Sequence, residues 1–168
     1  MILSYKGIVP AFHPTVFVAE GARIIGDVEI GEDSSVWFNT VIRGDINRIR
    51  IGKRTNVQDN CTLHVTSTQA LTVGDSVTFG HGVNAHGCTI ADFCLIGIGA
   101  VVLDRAVIGR GSVIGAGAVV SPGMIVPPHA LVLGVPGKVM KILAPESADA
   151  NRITADHYVE YARAYRNG

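Results

Sequence analysis

The sequence has no excess of charge of either sign: Lys and Arg total 14, Asp and Glu total 14, and the formal net charge is zero. That balance excludes the basic surplus with which a protein neutralises nucleic-acid phosphates or holds an anionic membrane. No apolar run approaches the roughly 18 residues of a membrane-spanning helix. The opening stretch, Met1 to Phe12, lacks a charged segment followed by a long apolar core and a small-residue cleavage site. A cytoplasmic protein with neither a membrane nor a nucleic-acid partner is the expectation. Cysteine is scarce as well: Cys61, Cys88 and Cys94 cannot all pair within one chain and form no CxxC motif, which excludes a disulfide framework. Aromatic residues make up only 6%, so large rings cannot fill the core.

What is present is a period. Large aliphatic residues recur every six positions, at Val18, Ile24, Ile30, Val36 and Ile42, again at Ile51, Val57 and Leu63, and from Ile90 through Ile96, Val102, Ile108, Ile114, Val120 and Val126 to Val132. A second column of small or modest residues stands two places earlier, including Ala22, Thr40, Cys61, Cys94, Ala100, Ser112 and Ala118. An apolar pair at i−2 and i is strand alternation. The glycine that often follows, as in Ile51-Gly52 and Ile96-Gly97, is read as a corner residue needing a permissive backbone. Three six-residue sides then close one coil of a parallel β-helix, with coils stacked about 4.8 Å apart. The fold expected is all-β: a triangular prism over residues 1–143, followed by a helical tail over 144–168, packed as one structural domain. In the tail, Tyr158, Tyr161, Ala162 and Tyr165 form one helical stripe, with Thr154 as its N-cap.

The register also sorts polar residues by side and coil. With Ile51, Val57 and Leu63 as one coil and Val73, Phe79 and Ala85 as the next, His64 and His86 occupy equivalent places on the third side. Stacked coils bring two such imidazoles within reach of one metal ion. His81 belongs to the second side, around a corner, so it completes a three-histidine site when prisms pack side by side. Three breaks flank these residues: Ile42 to Ile51 is nine positions, Leu63 to Val73 ten, and Ala85 to Ile90 five. Gln58 and Asp59 share the side of His81 and are suited to orienting a water at the metal. Arg43 and Asp45 are assigned to that side too, as a charge-assisted pair that is either a structural tie between chains or part of the chemistry. A lone histidine is ordinarily a solvated surface residue, and His13, His129 and His157 are read that way. All three cysteines fall in the inward column as packing.

The segments from Val36 to Val65, from Gly74 to Ile90 and from Gly97 to Gly109, with their RGD, QD, LH and GHG motifs, resemble the gamma-class carbonic anhydrase family along nearly the whole chain. The resemblance implies a left-handed hexapeptide-repeat β-helix and a homotrimer with active sites between subunits. It implies Zn2+ there, with Fe2+ or Co2+ as alternatives, held by His64 and His86 of one chain and His81 of the next. It implies reversible hydration of carbon dioxide to bicarbonate by a metal-bound hydroxide, with catalytic roles for Gln58, Asp59, Arg43, Asp45 and Tyr158. The chain departs from the family's archaeal prototype at Ile46, where that protein carries a glutamate, and in the short acid-free loop Val65 to Ala70, which implies low turnover for want of a proton shuttle. The alternatives carried from the sequence are a coenzyme A-dependent acyltransferase or thioesterase on the same prism, or a weakly active or non-enzymatic trimeric accessory protein.

Overall fold

A computed structural model describes residues 1–167; Gly168, the last residue of the expected tail, lies outside the described residues. The chain winds through about seven turns of a parallel β-helix and ends in one helix. Each face is a ladder of short parallel strands whose inward residues stack in register. Face one stacks Val36, Val57, Phe79, Ile96, Ile114 and Val132. Face two stacks Ile24, Ile42, Leu63, Ala85, Val102 and Val120. Face three stacks Ile30, Ile51, Val73, Ile90, Ile108 and Val126. All of these are buried and form the core.

The small column binds coil to coil. Ser34 Oγ donates to the Gly52 carbonyl at 2.8 Å, Thr55 Oγ1 to Gly74 at 2.9 Å and Ser112 Oγ to Pro127 at 2.9 Å. Cys61 and Cys94 reach the carbonyls of Gly80 and Gly109 in the same way, each at 3.2 Å. A buried hydroxyl or thiol is thus satisfied by the backbone above it.

The glycine that follows the aliphatic position does a different job from the one its sequence position suggests. Left-handed backbone falls three residues after the aliphatic position, at Asp33, Asn39, Arg54, Asn60, Ser76 and Arg105 as well as at Gly99 and Gly117. Gly52 and Gly97 instead sit where stacked backbones touch: a Cβ on Gly52 would lie 2.6 Å from the Gly74 carbonyl carbon, and one on Gly97 would lie 2.6 Å from the Ala116 nitrogen. Close approach is what excludes a side chain there.

The three breaks all fall at one corner, between faces two and three. The strand Val41–Ile51 runs unbroken around it, paired with Arg23–Ile30 through a register shift between Gly26 and Val28. Residues 65–70 loop outward, pinned where Asn47 Nδ2 donates to the Thr66 and Ser67 carbonyls at 3.1 and 3.3 Å.

The C-terminal helix, α1 (Ser147–Asn167), buries Asn151, Ala155, Val159 and Ala162 against the prism. Asn151 Nδ2 donates to the Phe93 carbonyl at 2.9 Å, Arg54 pairs with Asp156 at 2.6 Å, and Arg163 pairs with Asp33 at 2.9 Å. This corrects one expectation. Thr154 is not the N-cap, since the helix starts seven residues earlier at Ser147; its hydroxyl bonds the Ala150 carbonyl at 3.1 Å inside the helix. The tyrosine stripe faces the prism: Tyr158 and Tyr165 meet Trp37 edge-on at 5.5 and 5.4 Å, and Ala162 of the same stripe is buried, while Tyr161 stays 52% exposed.

Candidate functional site

His64 and His86 are direct register partners on face two, each one residue past a buried core position. Their rings stand 5.0 Å apart, with His64 Nδ1 and His86 Nε2 facing at 3.0 Å. The outer nitrogens both meet carboxylates: His64 Nε2 lies 3.0 Å from Asp45 Oδ1, and His86 Nδ1 lies 2.5 Å from Asp104 Oδ1. Arg43 closes the row by pairing with the other oxygen of Asp45. Burial works to raise the Asp45 pKa, but hydrogen bonds from His64 and Arg43 outweigh it and hold this carboxyl below its ordinary value.

Arg43 and Asp45 therefore stand on face two with His64 and His86, not on the face of His81. The reason is the register: Ile42 pairs with Leu63, so the residues after them stack together. His81 lies around the corner beside face one, where its Nδ1 meets Asp59 Oδ2 at 2.7 Å. The other oxygen of Asp59 accepts the Phe38 N–H at 3.1 Å.

Proton bookkeeping fixes what the three rings offer. An ionised carboxylate only accepts, so the ring nitrogens facing Asp45, Asp59 and Asp104 carry hydrogens. Each neutral imidazole then has one bare nitrogen: Nδ1 in His64, and Nε2 in His81 and His86. The bare nitrogens of His64 and His86 point at each other across 3.0 Å. Two nitrogens so close share either a proton, with one ring donating to the other, or a bound cation. Metal–nitrogen bonds of about 2.0–2.1 Å in a tetrahedral site put two donors about 3.3 Å apart. The pair fits two arms of such a site. Among the described residues, one chain brings no three His, Cys, Asp or Glu side chains into a metal-holding group.

The cysteines take no part. Burial pushes the thiols of Cys61, Cys88 and Cys94 up to about 12, so none offers a thiolate at neutral pH.

Gln58 is buried on face one, where its Nε2 donates to Asn56 Oδ1 at 3.1 Å and Asn56 Nδ2 donates to Thr78 Oγ1 at 2.9 Å. That chain leaves Gln58 Oε1 as an acceptor. Gln58 lines an apolar groove of about 480 Å³ together with His81, Ile98, Val113 and Tyr158. Tyr158 sets its ring edge-on against Trp37 at 5.5 Å. Burial raises its pKa, and the neighbouring Asp59 and Tyr161 add to that, so it stays a phenol at neutral pH.

Asp104, Asn56, Trp37 and Phe38 are site residues that sequence reasoning missed. Asp104 had a signal: it lies two places after Val102, the register partner of Ala85, on the coil above His86. Trp37 and Phe38 follow Val36 outward on face one, but nothing in the period says that a helix lies beside them.

A family profile described as "Bacterial transferase hexapeptide (six repeats)" matches residues 87–122. A Geobacillus kaustophilus protein named carbonic anhydrase is 46% identical over 166 residues, covering 99% of this chain and 91% of that protein. A Methanocaldococcus jannaschii "Probable carbonic anhydrase" is 51% identical over 145 residues, covering 86% of this chain and 91% of that one. A solved Bacillus cereus structure, provisionally described as an acetyltransferase, matches with a TM-score of 0.96 and 45% identity, covering 99% of this chain and 97% of that one.

Proposed function

This chain belongs to the gamma-class carbonic anhydrase family, and on that footing we propose that it interconverts carbon dioxide and bicarbonate at metal centres shared between the subunits of a homotrimer. The observation that carries this reading is the trio of imidazoles, each with one nitrogen tied to a carboxylate and one left bare. In one chain the bare nitrogens of His64 and His86 converge, and His81 offers its own beside another face. A second copy supplies the third donor. Zn2+ is the metal proposed, with Fe2+ or Co2+ as alternatives of the same geometry.

A divalent cation held there supplies Lewis acidity, bringing the ionisation of a water molecule down to a pKa of about 7. Asp45 and Asp104 fix the tautomers of His64 and His86, and Asp59 fixes that of His81, so no ring has to turn or lose a proton to bind. Gln58 Oε1 accepts a hydrogen from the attacking water or hydroxide and turns an oxygen lone pair toward the substrate carbon. Arg43 balances Asp45 and, being 42% exposed, is available to a neighbouring subunit. Tyr158 adds a neutral phenol at the mouth of the groove. Ile46 and the Val65 to Ala70 loop hold no acid, so the released proton leaves through solvent base.

The test is metal analysis of protein purified without chelators, followed by stopped-flow hydration of carbon dioxide. About one metal per subunit with catalysed hydration supports the reading; a metal-free trimer refutes it. One observation favours a second reading, acyl transfer from or hydrolysis of a coenzyme A thioester: the apolar groove beside His81 is large enough for an acyl chain. Turnover of acetyl-coenzyme A by chelated protein, without carbon dioxide hydration, would establish it. Metal-loaded protein inactive on both substrates would instead mark an accessory subunit.

A further inference from the structure

Helix α1 carries two unlike flanks, one on either side of its buried stripe. The first is ionic. Asp156 Oδ1 accepts from both Arg54 Nε and Arg54 Nη2, at 3.2 and 2.6 Å, while Asp156 Oδ2 meets Arg152 Nη1 at 3.3 Å. Arg54 Nη1 also lies 3.9 Å from Asp33 Oδ2, which accepts from Arg163 at 2.9 Å. Arg152, Asp156, Arg54, Asp33 and Arg163 thus form a row of alternating charge along the helix. Asp33 and Arg54 stand at successive coil corners, both in left-handed backbone, so the prism itself sets their spacing.

The second flank is aromatic and reaches the site. Tyr158 lines the groove of Gln58 and His81, and its ring meets Trp37 at 5.5 Å, as that of Tyr165 does at 5.4 Å. Residues two apart point to nearly opposite sides of a helix, so Asp156 and Tyr158 bracket the buried Ala155 and Val159. Between the flanks the contact is smooth. Ala155, Val159 and Ala162 fix how closely the helix approaches, but short side chains interlock little and leave its roll about its own axis weakly determined. Roll decides whether Tyr158 stands in the groove or beside it. Asn151 ties the start of the helix to the Phe93 carbonyl, and Arg163 and Arg166 tie its end to Asp33 and the Thr15 carbonyl. In the middle, within a turn of Tyr158, the tether is Arg54. Among the described residues it is the only cation of the prism paired with α1.

The geometry points to Arg54 as a positioning residue: by bridging Asp156 of the helix to Asp33 of the prism, it sets the roll of α1 and thereby seats Tyr158 in the groove beside Gln58 and His81. Its effect on turnover rests on the carbonic anhydrase reading. The seating of Tyr158 does not.

The test compares Arg54→Met, which keeps the aliphatic stem, with Asp156→Asn, Tyr158→Phe and their combinations, in the full chain purified without chelators. Acrylamide quenching of Trp37, the only tryptophan and 6% exposed, reports how closely α1 covers it. Quenching rises about twofold or more in Arg54→Met and in Asp156→Asn, and no further when the two are combined, because the pair acts as one unit. Hydration kcat/KM falls severalfold in Arg54→Met, while metal content stays the same and thermal unfolding changes little, since the pair is partly exposed. In the Tyr158→Phe background, which keeps the ring and removes the hydroxyl, the same substitution costs nothing more. Unchanged quenching overturns the proposal, as do losses that add between Arg54→Met and Tyr158→Phe, or a fall in kcat/KM that merely follows lost metal. A wild-type chain that hydrates no carbon dioxide refutes the carbonic anhydrase reading instead, and the quenching series alone then decides the role of Arg54.

Discussion

His64 and His86 lie one above the other on adjacent coils, 3.0 Å between facing nitrogens, each held from behind by a carboxylate of a different coil. The arrangement follows from stacking: the coil spacing of about 4.8 Å is close to the separation that two imidazoles need to share one ion. His81 is excluded from this pair within its own chain because it sits past a different corner.

Sharing between chains is tested by complementation. His81→Ala alone and His64→Ala/His86→Ala together each lose metal and hydration. Mixed after dissociation and reassembly, the two variants regain about a quarter of the wild-type sites, because only that share of junctions pairs an intact His64–His86 face with an intact His81. No recovery in mixed trimers of confirmed composition would sink the shared-site reading.

Asp104→Asn removes the acceptor that fixes the His86 tautomer. Metal affinity falls about 10–100-fold. Asp104 is partly exposed, so thermal unfolding of the metal-free protein changes little. A competitive chelator titration measures the first effect, and unchanged affinity would show that Asp104 does not orient the ligand.

Proton export depends on added base. At fixed pH the hydration kcat climbs with imidazole buffer concentration, while kcat/KM stays flat. Ile46→Glu, at a half-exposed position next to Asp45, raises kcat about tenfold or more at low buffer. A kcat indifferent to both changes would put the limiting step elsewhere.

The thiols respond to pH in one direction. Their folded pKa of about 12 lies above the ordinary 9.0, so between these values the unfolded chain has released protons that the native chain retains. Stability is therefore full below pH 9 and declines as pH rises toward 12. Replacing Cys61 or Cys94 by Ser flattens that decline in denaturant titrations. At pH 8 a thiol reagent labels none of the three in native protein and all three in denaturant.

Gly97→Ala tests the close approach of coils. Its Cβ meets stacked backbone rather than a flexible side chain, and stability falls by about 1–3 kcal/mol in chemical unfolding. Gly99→Ala has open space around its Cβ but a φ of +66°, so its cost is set by backbone strain alone.

The six-residue period by itself determined the prism, its three inward columns, and the stacking of His64 on His86, because a solenoid repeats one local geometry and each coil touches only its neighbours. The same arithmetic placed Gln58 and Asp59 on the face beside His81. Arg43 and Asp45 were assigned to the wrong face, since only the pairing of Ile42 with Leu63 fixes where the nine-residue break falls. The glycines after the aliphatic column were visible, but their reason was not: contact between stacked backbones exists only once the coils are built. Asp104 stands between the two: its distance from Val102 places it on the coil above His86, but only the built coils bring its carboxylate to His86 Nδ1. The contacts of Tyr158 and Tyr165 with Trp37 were decided by tertiary structure alone, because they depend on where a helix comes to rest and have no period in the spacing of residues.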